Sequence, residues 1–238
     1  MKLIATALFL TIMDTTIQSK ALDTLPTGLQ YVVRQPKIKT GKPRLMILLH
    51  GVGGNEQNLF SFANQLPDDF LVVSVRAPFI ISEGRYSWYQ VNFSTGKPII
   101  DAGQAEKSRN TILQFVGELK QQFLFDDKLV YLCGFSQGAI MAYSVGLTAP
   151  DIIKGIAIMS GRLLEEVKQL ITHNGELEHL QVFVAHGIND ATLNIQYARE
   201  AHNYLESINI HPAYKEYIYG HGIDNEMLTD FVFWLGKK

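Results

Sequence analysis

Five short apolar runs divide the sequence: Met46–Leu49, Phe70–Val75, Lys128–Cys133, Gly155–Met159 and Val182–Ala185. Each is rich in Val, Ile or Leu, as expected of central parallel strands covered on both faces. "LQYVVRQ" (29–35) and "YKEYIY" (214–219) are interrupted by polar residues and predict strands nearer the sheet edges. Between these runs, apolar residues recur at three- and four-residue spacing over Asn55–Leu66, Gln104–Phe123, Gln137–Leu147, Leu163–Ile171, Asn194–Ile208 and Asp224–Lys238. Strands alternating with helices predict βαβ units, hence an α/β fold with a mostly parallel central sheet and helices on both faces. Ligands of such sheets bind beyond the carboxyl ends of the strands, so the loops after the strands are the places to search.

The 238 residues, 47% of them hydrophobic, are enough for one core. A formal net charge of −2 gives no electrostatic grip on nucleic acid. The single cysteine, Cys133, excludes an intrachain disulfide, and its apolar neighbours make it a small hydrophobe. With neither a CxxC pair nor HExxH, no metal site is expected. At the N-terminus, Leu3–Met13 is uncharged, too short for a membrane span and of the length of a signal-peptide core. Small residues at Ser19 and Ala21 suit a signal peptidase. Residues 1–21 therefore read as an export signal or a flexible segment, and 22–238 as one domain without a membrane span. The first alternative implies a periplasmic or secreted protein and the second a cytoplasmic one.

The run ending at Cys133 leads into Gly134-Phe135-Ser136-Gln137-Gly138, which matches G-x-S-x-G. A helix rich in small residues follows. This strand–turn–helix context is that of a nucleophile elbow, in which small residues must flank a strained serine. A serine hydroxyl needs a base, and the base needs an orienting carboxylate, in the chain order Ser, acid, His. His173, His179, His202 and His211 lie in turns, before a strand, in a helical pattern and in a connection, and read as surface or structural residues. His221 follows "YKEYIY" between two glycines and is the expected base. Asp190 follows the Val182–Ala185 run in "HGIND" and is the expected acid, ahead of Asp151 and of Asp224, which suits a helix N-cap. The expected oxyanion donors are the backbone N–H groups of Gln137 and of Val52, the latter in the loop His50-Gly51-Val52-Gly53-Gly54. His50 is expected to be a structural hydrogen-bonder. This loop lacks GxxxxGK[ST] and GxGxxG spacing, so no nucleotide cofactor is expected.

In order along the chain, "LLHGVGGNEQNL", "RAP", "GRYSWYQ", "GFSQGA", "SGRL", "HGIND" and "YGHGI" together resemble the phospholipase/carboxylesterase family of α/β-hydrolases, which includes acyl-protein thioesterases. The resemblance spans about Leu29–Lys238. It implies an α/β-hydrolase fold, a Ser136–Asp190–His221 triad, Val52 and Gln137 as oxyanion donors, and Trp88 in the wall of an acyl pocket. No long insertion marks a large cap domain, so an open site taking small to medium esters is expected. The implied protein is a serine carboxylesterase without cofactor, acting on a small-molecule ester or lipid-like substrate. Acyl-thioesterase or lysophospholipase activity on the same triad is the alternative within this class, and a non-catalytic acyl-binding protein the alternative outside it. Oligomeric state is left open, a homodimer included. Family members are commonly cytoplasmic, so an export signal would be a departure.

Overall fold

The computed structural model describes residues 22–38, 41–92, 99–172, 175 and 177–236. The N-terminal segment and His173, both assigned above, lie outside the described residues. The main sheet takes β1 (Asp23–Thr24), β2 (Gln30–Arg34), β3 (Arg44–Leu49) and β4 (Phe70–Val75) from the first third of the chain. Two short hairpins follow, β5 (Phe79–Ser82) with β6 (Arg85–Ser87), and β7 (Val91–Asn92) with β8 (Ile99–Ile100). The sheet is completed by β9 (Val130–Phe135), β10 (Gly155–Met159), β11 (Gln181–Gly187) and β12 (Ala213–Tyr217). The strand order is β1-β2-β4-β3-β9-β10-β11-β12. From β4 to β12 all neighbours are parallel, whereas β2 and β1 are added antiparallel at one edge.

Alternation along the central strands explains their unbroken apolar composition. In β3, Leu45, Ile47 and Leu49 enter one core while Met46 and Leu48 enter the other. The first core is closed by α2 (Ala102–Gln122), α3 (Gln137–Thr148) and α5 (Gln196–Ser207). The second is closed by α1 (Gln57–Phe60) and α6 (Asn225–Gly236), through Leu59, Met227, Leu228, Phe231 and Leu235. Each fully buried Leu, Ile or Phe contributes about 1.5–3 kcal/mol, so both layers stabilise the sheet strongly. Asp101 starts α2 by accepting a hydrogen bond from Gln104 N–H at 2.9 Å. Ile112, Phe115, Val116 and Leu119 form its buried face.

Two helices are shorter than their periodicity predicts. Over Asn55–Leu66 the chain forms α1 and then a separate 3₁₀ turn at Ala63–Gln65. There Ser61 Oγ donates to the Asn58 carbonyl at 2.7 Å, a local bond that competes with helix continuation. Over Leu163–Ile171 only α4 (Glu165–Lys168) is helical, because Leu163 and Leu164 are buried ahead of it, with Leu164 extended at ψ 141°.

Candidate active site

The residues assigned to chemistry meet at the carboxyl ends of β3, β9, β11 and β12. β9 runs two residues past Cys133, so Ser136 follows the last strand residue, Phe135, and α3 begins at once with Gln137. Ser136 is held at φ 53°, ψ −115°, strained for any residue with a side chain. The flanking glycines have steric reasons. A Cβ at Gly134 would overlap the Gly138 carbonyl, and one at Gly138 would overlap the Leu49 carbonyl. The strand, the turn and the helix can cross this closely only without those two side chains.

His221 Nε2 lies 2.9 Å from Ser136 Oγ, and His221 Nδ1 lies 2.7 Å from Asp190 Oδ2. A carboxylate only accepts, so Nδ1–H donates to Asp190 and leaves the Nε2 lone pair for the Ser136 O–H. The other oxygen, Asp190 Oδ1, accepts the backbone N–H groups of Thr192 and Leu193, each at 2.8 Å. Ser136 and Asp190 are buried, while the His221 side chain keeps 19% exposure, enough to reach a ligand. Asp151 is an exposed residue near the end of α3, and Asp224 accepts Met227 N–H at the start of α6, as an N-cap does. His179 precedes β11, His202 stacks on Tyr214, and His211 pairs with Glu206 on the surface.

The glycine loop after β3 packs directly on the serine: a Cβ at Gly51 would stand 3.2 Å from Ser136 Cβ. His50 fixes its base. Its Nε2 accepts Ala77 N–H at 3.0 Å, so Nδ1 carries the proton and donates to the Gly51 carbonyl at 2.7 Å. Burial pushes the His50 pKa down and keeps the ring neutral, as this pattern requires. Gly53 N–H donates to Tyr86 O and Gly54 N–H to Gly51 O, while Val52 projects at the rim, half-exposed. The Gln137 N–H, first in its helix, has no intrahelical acceptor.

Trp88 departs from the expected pocket wall, because it has no exposure at all. Its indole N–H donates to the His50 carbonyl at 2.9 Å, and its backbone N–H donates to Gln137 Oε1 at 2.8 Å. Trp88 is thus a strut joining the glycine loop, the β6 hairpin and the start of α3. Neighbouring Ser87 and Tyr89 line the cleft instead. The Gln137 side chain completes the joint by donating to Tyr89 O at 2.7 Å. Sequence reasoning singled out Gln137 for its backbone alone.

Glu56 and His186 also do more than the sequence indicated. Arg76, in the "RAP" motif, holds Glu56 with two bonds of 2.6 and 2.8 Å, and the Glu56 carbonyl accepts Ser74 Oγ–H at 2.7 Å. This anchors the far end of the glycine loop to β4. His186 is fully buried beneath the acid, with Nε2 2.7 Å from Leu193 O and 3.3 Å from Asp190 Oδ2.

Two open clefts lie at this end of the sheet, one lined by Val52 of the glycine loop and one by His221. One, of about 670 Å³, runs from Val52 past Ile80, Ile81, Tyr89 and Ile99. The other, of about 470 Å³, lies between α1 and the loop carrying His221, with Phe135 and His221 in its wall.

The profile of the Phospholipase/Carboxylesterase family matches residues 31–237. The chain belongs to this family. Among its relatives, a probable carboxylesterase SOBER1-like from Arabidopsis thaliana is 29% identical over 110 residues. That match covers 46% of this chain and 42% of the relative. A carboxylesterase from Bacillus cereus has the same fold, with a TM-score of 0.75 at 23% identity over 88% of this chain and 94% of that one. Acyl-protein thioesterase 2 from Zea mays aligns with a TM-score of 0.70 at 18% identity, over 87% of this chain and 97% of that one. The phospholipase/carboxylesterase fold expected from the sequence, without a large cap, is therefore the fold observed, and ester hydrolysis is the activity that the family's description carries. No described helix is long and apolar enough to cross a membrane.

Proposed function

We propose that the protein is a serine carboxylesterase that works through an acyl-enzyme on Ser136. The observation that carries this reading is the continuous hydrogen-bonded chain from Asp190 through His221 to Ser136 Oγ. As Oγ attacks the ester carbonyl, its proton passes to His221 Nε2, and Asp190 stabilises the imidazolium. The Val52 and Gln137 N–H groups receive the developing oxyanion, each donor contributing about 3–4 kcal/mol in strong cases. His221 then returns the proton to the leaving oxygen as the C–O bond breaks. Water attacks the acyl-enzyme as Nε2 takes its proton, and Nε2 then returns that proton to Ser136 Oγ as the acyl C–Oγ bond breaks and the acid leaves.

The cleft beside Val52 suits the acyl group, since the exposed side chains Ile80, Ile81 and Ile99 give it an apolar lining. Trp88 acts here from beneath, holding the His50 carbonyl at the start of the glycine loop. A non-catalytic binding protein would have no use for a strained serine hydrogen-bonded to an oriented base, which argues against that alternative.

Ser136→Ala should abolish turnover of p-nitrophenyl butyrate with an unchanged circular dichroism spectrum. Turnover retained by this variant would refute the assignment. For the base, His221→Asn should lose labelling by a fluorophosphonate probe, and normal labelling would count against it. Comparing butyryl esters with butyryl thioesters and lysophospholipids then ranks the leaving groups that the same triad can handle.

A further inference from the structure

We propose that the groove between α1 and the His221 loop is the leaving-group subsite, and that it selects a neutral, hydroxyl-bearing alcohol such as a glycerol moiety. The inference rests on the triad reading above. In acylation the proton taken from Ser136 Oγ must be delivered by His221 Nε2 to the departing oxygen; the acyl C–O bond breaks as the O–H bond forms. The alcohol therefore departs past His221, whose Nε2 is 2.9 Å from Ser136 Oγ and whose ring walls this groove. Phe135, 5.0 Å from the imidazole centroid, forms the adjoining wall.

The groove's chemistry differs from that of the Val52 cleft. Its apolar groups Leu59, Phe62 and Leu228 are buried in the floor. The groups that a ligand would meet at the rim are the exposed side chains of Asn58, Ser61, Gln65 and Asn225. Amides and hydroxyls both donate and accept, which matches the hydroxyls of an alcohol. Among the described residues no lysine or arginine lines the groove, and its one carboxylate is Asp224. A leaving group carrying phosphate or carboxylate would meet like charge without a cation to offset it, so the groove discriminates against anionic alcohols.

The test uses three substrates with one acyl group: ethyl butyrate, glyceryl monobutyrate and 1-butyryl-glycerol 3-phosphate. For the wild type, kcat/KM should be about ten-fold higher for the glyceryl ester than for the ethyl ester, the effect of one or two net hydrogen bonds. It should be lowest for the phosphate ester. In Gln65→Leu/Asn225→Leu the glyceryl-to-ethyl ratio should fall toward one. A wild-type ratio near one, a preference for the phosphate ester, or a ratio that survives the double substitution overturns the subsite while leaving the triad intact. Failure to hydrolyse any of the three, or turnover persisting in Ser136→Ala, overturns the triad reading and the subsite with it.

Discussion

Asp190 is a buried carboxylate, and no lysine or arginine pairs with it among the described residues. Its oxygens are held by N–H groups instead, Thr192 and Leu193 on one and His221 on the other, while His186 Nε2 lies 3.3 Å from the second. His186 has two effects at this point. Because a carbonyl only accepts, the 2.7 Å contact to Leu193 O puts the proton on Nε2, and the same nitrogen lies 3.3 Å from Asp190 Oδ2. Leu193 thereby has its N–H tied to the acid and its carbonyl tied to His186, which closes the loop that orients the carboxylate. The ring's Nδ1 is left buried without a partner, a cost of about 1–3 kcal/mol. His186→Leu removes the clamp, so kcat for p-nitrophenyl butyrate should drop about five- to ten-fold with KM little changed. His186→Gln can present an N–H at similar reach and should recover most of the loss. If the leucine variant keeps full kcat, the backbone donors alone orient the acid.

At the scale of elements, the β9–α3 crossing sets the site's tolerance. Gly138 lies where α3 passes over the end of β3, and both neighbours are regular backbone that cannot swing aside. Gly138→Ala should cost at least about 3 kcal/mol, lowering Tm by about 6–12 °C for a chain of this size and abolishing turnover. Gly117 is the opposite case, exposed inside α2 with nothing within 4 Å of a built Cβ. Gly117→Ala should raise stability by about 0.5–1 kcal/mol through helix propensity and chain entropy, with kinetics unchanged. Thermal melts of the two variants side by side check both. The same contrast explains what could be read in advance. Ser136, Asp190 and His221 each follow a strand in a short motif, so their placement is local information. The roles of Trp88, the Gln137 amide and His186 depend on buried bonds to His50, Tyr89 and Leu193, and the first two join residues 38 and 48 positions apart. Nothing in the local pattern specifies such partners. For Trp88, an aromatic beside the site pointed to a wall, whereas the tertiary hydrogen bonds make it a strut.

Across the whole molecule, two buried histidines and a set of ion-paired carboxylates make the fold acid-sensitive. Burial pushes His50 and His186 below the ordinary 6.5. Between their folded and unfolded pKa values the unfolded chain binds more protons, so their contribution is complete above pH 6.5 and is lost as pH falls. Protonation would also stop His50 Nε2 from accepting Ala77 N–H, loosening the glycine loop. Carboxylates with depressed pKa values, Glu56 and Glu216 among them, act lower down. Burial raises the Glu56 pKa but its Arg76 bonds outweigh this, and Arg199 holds Glu216 at about 2 against an ordinary 4.5. A depressed carboxylate stabilises the fold above its unfolded pKa, and that contribution disappears as pH falls through the folded value. The expected profile is a Tm that is level with respect to these groups above pH 6.5, declines from there, and falls more steeply below about pH 4.5. Melts from pH 8 to pH 4 test it, and a Tm that rises on acidification from pH 7 to pH 5 would contradict the assignment. His186→Gln removes one of the two buried imidazoles, so its decline between pH 6.5 and pH 5 should be shallower than that of the wild type. An equal slope would mean that His50 alone, through the glycine loop beside Ser136, carries the acid sensitivity in that range.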